Sequence, residues 1–197
     1  MCLLIETIKV IDGQIQNAVY HNRRFNHARR ELFACKDEMD IIEQVKPQVE
    51  ALRGMYKCTI TYNEAIVDIK AQPYTIRKIE SLKLIIDDTI DYSYKYAERE
   101  ELNRLLAKRE ECDEILIVKN GLITDTSFSN IVFFDGVKWL TPSKPLLKGT
   151  KRQKLLNDKI IEEADIEISD LKIFSKACLI NAMLEMGDSV IDCKNIN

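Results

Sequence analysis

Four places in this 197-residue chain carry side chains able to do chemistry. Lys95 sits among Tyr92, Tyr94 and Tyr96. Aromatic neighbours that strip water from an amine lower its pKa and free its lone pair for attack. Asp125 stands in the Ser/Thr-rich run from Thr124 to Asn130, a carboxylate able to pair with a cationic nitrogen. Gly149-Thr150-Lys151-Arg152 opens a stretch of helical spacing, and the unpaired N–H groups of a helix start bind phosphate. Arg24 offers a guanidinium fork that suits the same kind of anion. Taken singly, each has an ordinary reading: a solvated lysine, a turn aspartate, a common helix start, and one arginine of a basic face shared with Arg23, Arg29 and Arg30.

The elements that position these residues follow from hydrophobic periodicity. Residues 2–10 alternate as a strand that turns at Asp12-Gly13 into a second strand over 14–19. A helix over 21–35 turns Phe25, Ala28, Leu32 and Phe33 inward. Residues 39–53 read as helical, with Pro47 predicting a kink or two short helices. Residues 55–62 and 65–71 form a hairpin at Asn63-Glu64, and 72–80 reads as a linker. A strand over 81–86 follows. Lys95 then opens a helix marked by Ala97, Leu102, Leu105 and Leu106. The strand 113–118 runs into the Asn120-Gly121 turn, and 130–134 pairs with 137–140 across Asp135-Gly136. A helix from 149 to about 163 buries Leu155, Leu156, Ile160 and Ile161. Strands over 166–168, 176–181 and 189–192 close the chain. The mix reads as α+β.

The balance of 46% hydrophobic and 31% charged residues fits a globular chain, and a net charge of −3 gives no basic surface for nucleic acid or membrane. The apolar runs fall far short of a membrane span. The N-terminus lacks the charged and cleavage regions of a signal peptide, so the expected location is cytoplasmic. Six scattered cysteines and two histidines predict reduced thiols, with neither a disulfide framework nor a metal site.

The order of the motifs adds what their spacing cannot. Lys95-Tyr-Ala-Glu-Arg99, Asp113-Glu114-Ile-Leu, Gly121-Leu-Ile-Thr124-Asp125-Thr-Ser-Phe-Ser129-Asn130, Thr141-Pro142, Leu147-Lys-Gly149-Thr-Lys-Arg152 and Leu179-Ile-Asn181-Ala-Met follow one another. Ile5-Glu6-Thr7, Asp12-Gly13 and His21-Asn-Arg-Arg24 precede them. This set resembles the class IV, pyridoxal-phosphate-dependent aminotransferases (fold type IV) over nearly the whole chain.

The resemblance implies a small N-terminal α/β domain over residues 1–76 and a larger C-terminal domain over 77–197 with a barrel-like sheet. It implies pyridoxal 5'-phosphate (PLP) as cofactor, a small-molecule amino substrate, and a homodimer. Lys95 takes the role of the lysine that holds the cofactor covalently and shuttles a proton. Asp125 takes the place of the family's glutamate in Gly-x-x-x-Glu-x-x-x-x-Asn, one methylene shorter, on the pyridine nitrogen. Arg24, Gly149, Thr150, Lys151, Asn181 and Ala182 fall at the cofactor's other contacts, although the family more often has Gly-Ile-Thr-Arg at 149–152. Thr7 matches a first-strand threonine of 4-amino-4-deoxychorismate lyase, the branch that Ile180-Asn181-Ala182-Met183 also looks like. The expected activity is that lyase reaction, which yields 4-aminobenzoate and pyruvate for folate synthesis. The alternatives are an aminotransferase of branched-chain or D-amino acids, and a degenerate, non-catalytic member. The chain is shorter than most relatives, and the segment before Lys95 looks truncated.

Overall fold

The computed structural model describes residues 2–197, and contacts divide them into two units. The first contains residues up to 76 together with 94–98. Its strand β1 (Leu4–Ile11) buries Leu4, Ile8 and Val10 completely, and alternation places Glu6 on the same inward face. Asp12 and Gly13 take φ of 48° and 78°, the two-residue turn that suits a twisted hairpin. The returning strand β2 (Gln14–Ile15) is shorter than the expected 14–19, because Asn17 enters the left-handed region and ends it.

Helix α1 (Ala18–Phe33) buries Phe25 and Ala28 as expected, and also His21, Asn26 and Arg29. Leu32 stays exposed. Arg29 is no part of a solvated basic face: it donates to the carbonyls of Glu64 and Asp37 and to the Asp37 carboxylate. Helix α2 (Ile41–Val49) starts where Asp40 accepts the Ile42 N–H. It remains one helix, although Pro47 in its last turn offers no N–H to the Glu43 carbonyl. Strands β3 (Met55–Tyr62) and β4 (Ile66–Pro73) complete an antiparallel sheet in the order β2-β1-β3-β4. Both helices bury their apolar faces with Leu4, Ile8, Val10, Cys58, Ile60 and Tyr62, each large side chain worth roughly 1.5–3 kcal/mol of transfer energy.

Lys95 does not open a helix. The Ile5 N–H donates to the Lys95 carbonyl (2.9 Å), the Ala97 N–H donates to the Leu3 carbonyl (2.8 Å), and Leu4 bridges to Tyr96. The lysine therefore rides in an extended segment on the edge of β1 away from β3. Helix α3 (Glu100–Leu106) begins only after Arg99.

The second unit holds residues 77–93 and 99–197. Strand β5 (Leu82–Ile86) lies parallel to β6 (Glu114–Lys119), with α3 in the crossover between them. Leu102 and Leu105 pack on Ile115 and Ile117. Asn120 and Gly121, at φ 52° and 79°, turn β6 into β7 (Leu122–Thr126). A second sheet runs β10-β9-β8-β11-β12, made of β8 (Asn130–Phe134), β9 (Trp139–Pro142), β10 (Ile161–Ala164), β11 (Lys176–Ile180) and β12 (Val190–Asp192).

Helix α4 (Thr150–Asn157) is shorter than the expected 149–163. Lys159 turns left-handed (φ 57°), and the chain then enters β10 parallel to β9, so Ile161 is buried as a strand residue. The expected strand over 166–168 is one bridge, Leu122 to Glu167, followed by a 3₁₀ turn, Ile168–Ile173, capped reciprocally by Glu167 and Asp170. The two-unit α+β architecture holds, but the sheets of the second unit stay open and do not close into the expected barrel. Among the described residues no helix is long and apolar enough to cross a membrane.

Candidate functional site

The first unit is built around a carboxylate. Glu6 is fully buried and accepts both Nε (2.7 Å) and Nη2 (2.7 Å) of Arg24, while the Nδ1–H of His21 donates to it at 2.6 Å. His21 and Arg24 are one turn apart on α1, so both reach the inward face of β1. Burial alone pushes the Glu6 pKa up, but the Arg24 charge and the two hydrogen-bonding partners outweigh it and hold the group at about 2. Burial lowers the pKa of His21 despite the pull of Glu6, and the charges of Arg24 and Lys95 lower it further. Its Nε2 has no partner among the described residues.

Of the residues expected to act, Arg24 binds Glu6, and the charge of Lys95 is felt by His21. Two of the Arg24 nitrogens are engaged by Glu6. Thr7 stands on the opposite face of β1, partly buried, across from Thr59. Of the tyrosines around Lys95, Tyr94 and Tyr96 pack against the first core and lie edge to face with each other, 6.2 Å between ring centroids.

The second unit holds a carboxylate of another kind. Asp125 on β7 is buried; Asn130 Nδ2 donates to its Oδ1 (2.7 Å) and the Leu147 N–H to its Oδ2 (2.9 Å). Burial raises its pKa to about 6 against those donors and the more distant charge of Arg152. The Asn130 amide donates to the Leu147 carbonyl as well (2.8 Å). A Cβ on Gly149 would lie 2.0 Å from Asn130 Oδ1, so any other residue here must displace the Asn130 side chain.

Gly149 precedes α4, which has no side-chain cap. The first N–H groups of that helix therefore find no acceptor within it. Thr150, Lys151 and Arg152 are buried there, with Lys151 bound to Glu185 (2.5 Å) and Arg152 to the Pro142 carbonyl (2.8 Å) and Glu163 (2.6 Å). Asn181 shapes the turn that it shares with Ala182, its Oδ1 accepting the Met183 and Leu184 N–H groups. Arg99 donates to the Ser127 carbonyl (2.5 Å) and steadies the turn after β7.

Two residues within the quoted motifs have structural parts that motif order left unassigned. Glu6 was visible as a lone charge in the inward series Leu4, Glu6, Ile8, Val10. Asn130 carried no such signal, because one of its two partners comes from a loop seventeen positions along the chain.

The sequence pattern of the amino-transferase class IV family matches residues 3–188. The chain belongs to this family. Class IV aminotransferases are enzymes that depend on PLP. The chain is 36% identical to an uncharacterized protein of Haemophilus influenzae, over 91% of its own length and 97% of the relative's. It is similar to a provisionally named 4-amino-4-deoxychorismate lyase of Haemophilus somnus 129PT at 36% identity, with a TM-score of 0.87 over 93% of this chain and 97% of that one. A provisionally named amino-acid aminotransferase of Mesorhizobium loti, 22% identical, shares the fold with a TM-score of 0.84 over 97% and 100%. The donor chemistry of the second unit fits a cofactor with a ring nitrogen and a phosphate: a buried carboxylate bonded only by neutral donors, and an uncapped helix start behind a glycine.

Proposed function

We propose that the chain is a PLP-dependent lyase resembling 4-amino-4-deoxychorismate lyase, which releases 4-aminobenzoate and pyruvate. Asp125 carries the cofactor part of this reading: a buried carboxylate bonded only by neutral groups suits a protonated ring nitrogen. In this assignment Lys95 holds the cofactor covalently, Asp125 keeps the ring nitrogen protonated, and the start of α4 with Gly149, Thr150 and Lys151 takes the phosphate. The family pattern also gives Arg24 to the phosphate, and the Asn181-Ala182 turn adds donors. Bound PLP supplies a sink for the electron pair left when a proton leaves the amine-bearing carbon.

The amine of Lys95, released when substrate takes its place, accepts that proton. The Thr7 hydroxyl then serves the proton transfer that accompanies the departure of pyruvate. The 36% identity with the Haemophilus somnus protein and the hydroxyl at position 7 support lyase over transamination. The likeness to the Mesorhizobium loti protein keeps an aminotransferase as the second reading. We take the working form to be a homodimer, as the family resemblance implies, cytoplasmic and serving folate synthesis.

The deciding experiment offers the PLP-loaded protein aminodeoxychorismate and, separately, a panel of amino-acid and keto-acid pairs. The lyase forms 4-aminobenzoate and pyruvate in equal amounts, and Thr7→Val slows this about a hundredfold. Transamination without any 4-aminobenzoate overturns the lyase reading. Borohydride reduction followed by peptide mapping places the label on Lys95; a label on Lys108, Lys119 or Lys151 overturns that assignment.

A further inference from the structure

Leu147 is held by both of its main-chain polar groups. Its N–H donates to Asp125 Oδ2 (2.9 Å), and its carbonyl accepts from Asn130 Nδ2 (2.8 Å). The same Asn130 nitrogen donates to Asp125 Oδ1 (2.7 Å), which closes a ring of three hydrogen bonds across β7, β8 and the loop before α4. Two residues further on, Gly149 admits the Asn130 Oδ1 where any side chain would collide with it. Asp125 and Asn130 are both buried, so water does not compete for these bonds.

We propose that Asn130 is a positioning residue that clips the start of α4 to Asp125, so that the acid and the helix-start donors move as one body. The Leu147 N–H already ties that loop to Asp125, and Asn130 adds the second tie, to a helix that has no side-chain cap of its own. The clip matters for function only under the reading above, in which the two ends of one cofactor are held by Asp125 and α4. A shortened acid gains most from such a clip: an aspartate has one fewer rotatable bond than a glutamate, so its reach is set by where the backbone and its donors hold it.

A double-mutant cycle on the full-length chain tests the clip. Asn130→Ala removes the donor. Gly149→Ala keeps every polar group but drives Asn130 out of place, and so also answers the case in which Asn130→Ala folds poorly. Two measurements need no cofactor: the Asp125 carboxyl titration by carbon NMR, and hydrogen exchange at the Leu147 amide. Arg152 on α4 is the charge acting on Asp125 and is unaltered in all variants.

Each single variant is expected to move the Asp125 titration about one pH unit upward and to speed Leu147 exchange about tenfold. Each is also expected to speed PLP release from the loaded protein by a similar factor. The double variant should be no worse than Asn130→Ala, because the added methyl then enters vacated space. Additive effects in the double variant, or an Asn130→Ala that moves neither cofactor-free measurement, overturn the clip. If the wild type takes up no PLP, the functional reading fails, and the cofactor-free measurements still decide the clip.

Discussion

The two units each bury a carboxylate, and the two groups end at opposite extremes. Glu6 is held at about 2, whereas Asp125 is raised to about 6. Burial opposes ionisation in both places, and both accept close hydrogen bonds. The difference is a formal charge. Glu6 meets the fork of Arg24, while Asp125 meets an amide nitrogen and a main-chain N–H, with Arg152 acting only from a distance. Neutral donors lessen the cost of burying an anion, and a guanidinium cancels it. Glu6 is thus already satisfied, and Asp125 is left ready for a cation that the protein itself does not supply.

Removing that guanidinium is the strongest way to break the contrast. Arg24→Met keeps the bulk and strands Glu6, so the PLP-free protein should lose about 3–5 kcal/mol in denaturant unfolding. Glu6 should then titrate above the ordinary carboxylate range, as Asp125 does. A loss under 1 kcal/mol would mean that the charge is not what holds Glu6 down.

Asp125→Asn comes next, and it separates stability from activity. It removes a buried anion but sets an amide N–H₂ against the Asn130 or Leu147 donor, so the two effects oppose and the stability of the PLP-free protein at pH 8 should change little. Turnover should fall about a hundredfold, near 3 kcal/mol of barrier, while PLP still binds. Unchanged turnover would give the ring-nitrogen role to another group.

The pH dependence of stability follows from the signs of the two shifts. Glu6 has a depressed pKa, so its contribution is complete above about pH 4.5 and is lost as pH falls toward 2. Asp125 has a raised pKa, so the folded state pays nothing below its ordinary value of 3.8 and progressively more as pH rises toward 6. These two groups therefore place a maximum near pH 4, with each limb worth about 3 kcal/mol. Thermal melts of the PLP-free protein should show the upper limb vanish in Asp125→Asn and the lower limb vanish in Arg24→Met.

Local pattern carried much of this in the sequence, and non-local pairing carried what was missed. The alternation of β1 and the Asn120-Gly121 turn are set by neighbours along the chain, and both are found where the pattern puts them. Lys95 reads as a helix start because Ala97, Leu102 and Leu105 share a period. What fixes it instead is hydrogen bonding to Leu3 and Ile5, some ninety residues away. Ile160 and Ile161 continue the α4 stripe, yet Ile161 is claimed by pairing with Trp139 on β9. The site shows the same division. Motif order names Asp125, but the donors that set its pKa come from β8 and the loop before α4.

The smallest expected effect sharpens the contrast most, because it concerns a neutral donor at the charged site. Burial keeps His21 below its ordinary pKa, so near neutral pH its Nδ1–H is an uncharged donor to Glu6, the counterpart of Asn130 at Asp125. His21→Leu keeps the volume and removes that bond. It also removes the partnerless Nε2, which recovers part of the loss. The net cost should be about 1 kcal/mol, with Glu6 still ionised at pH 7, far below the effect of Arg24→Met. Nitrogen NMR of the wild-type imidazole at pH 7 should show one protonated and one bare nitrogen. If both are protonated, or if His21→Leu costs as much as Arg24→Met, the ring is an imidazolium. Glu6 would then be held by two charges, and the guanidinium alone would not account for the difference between the two carboxylates.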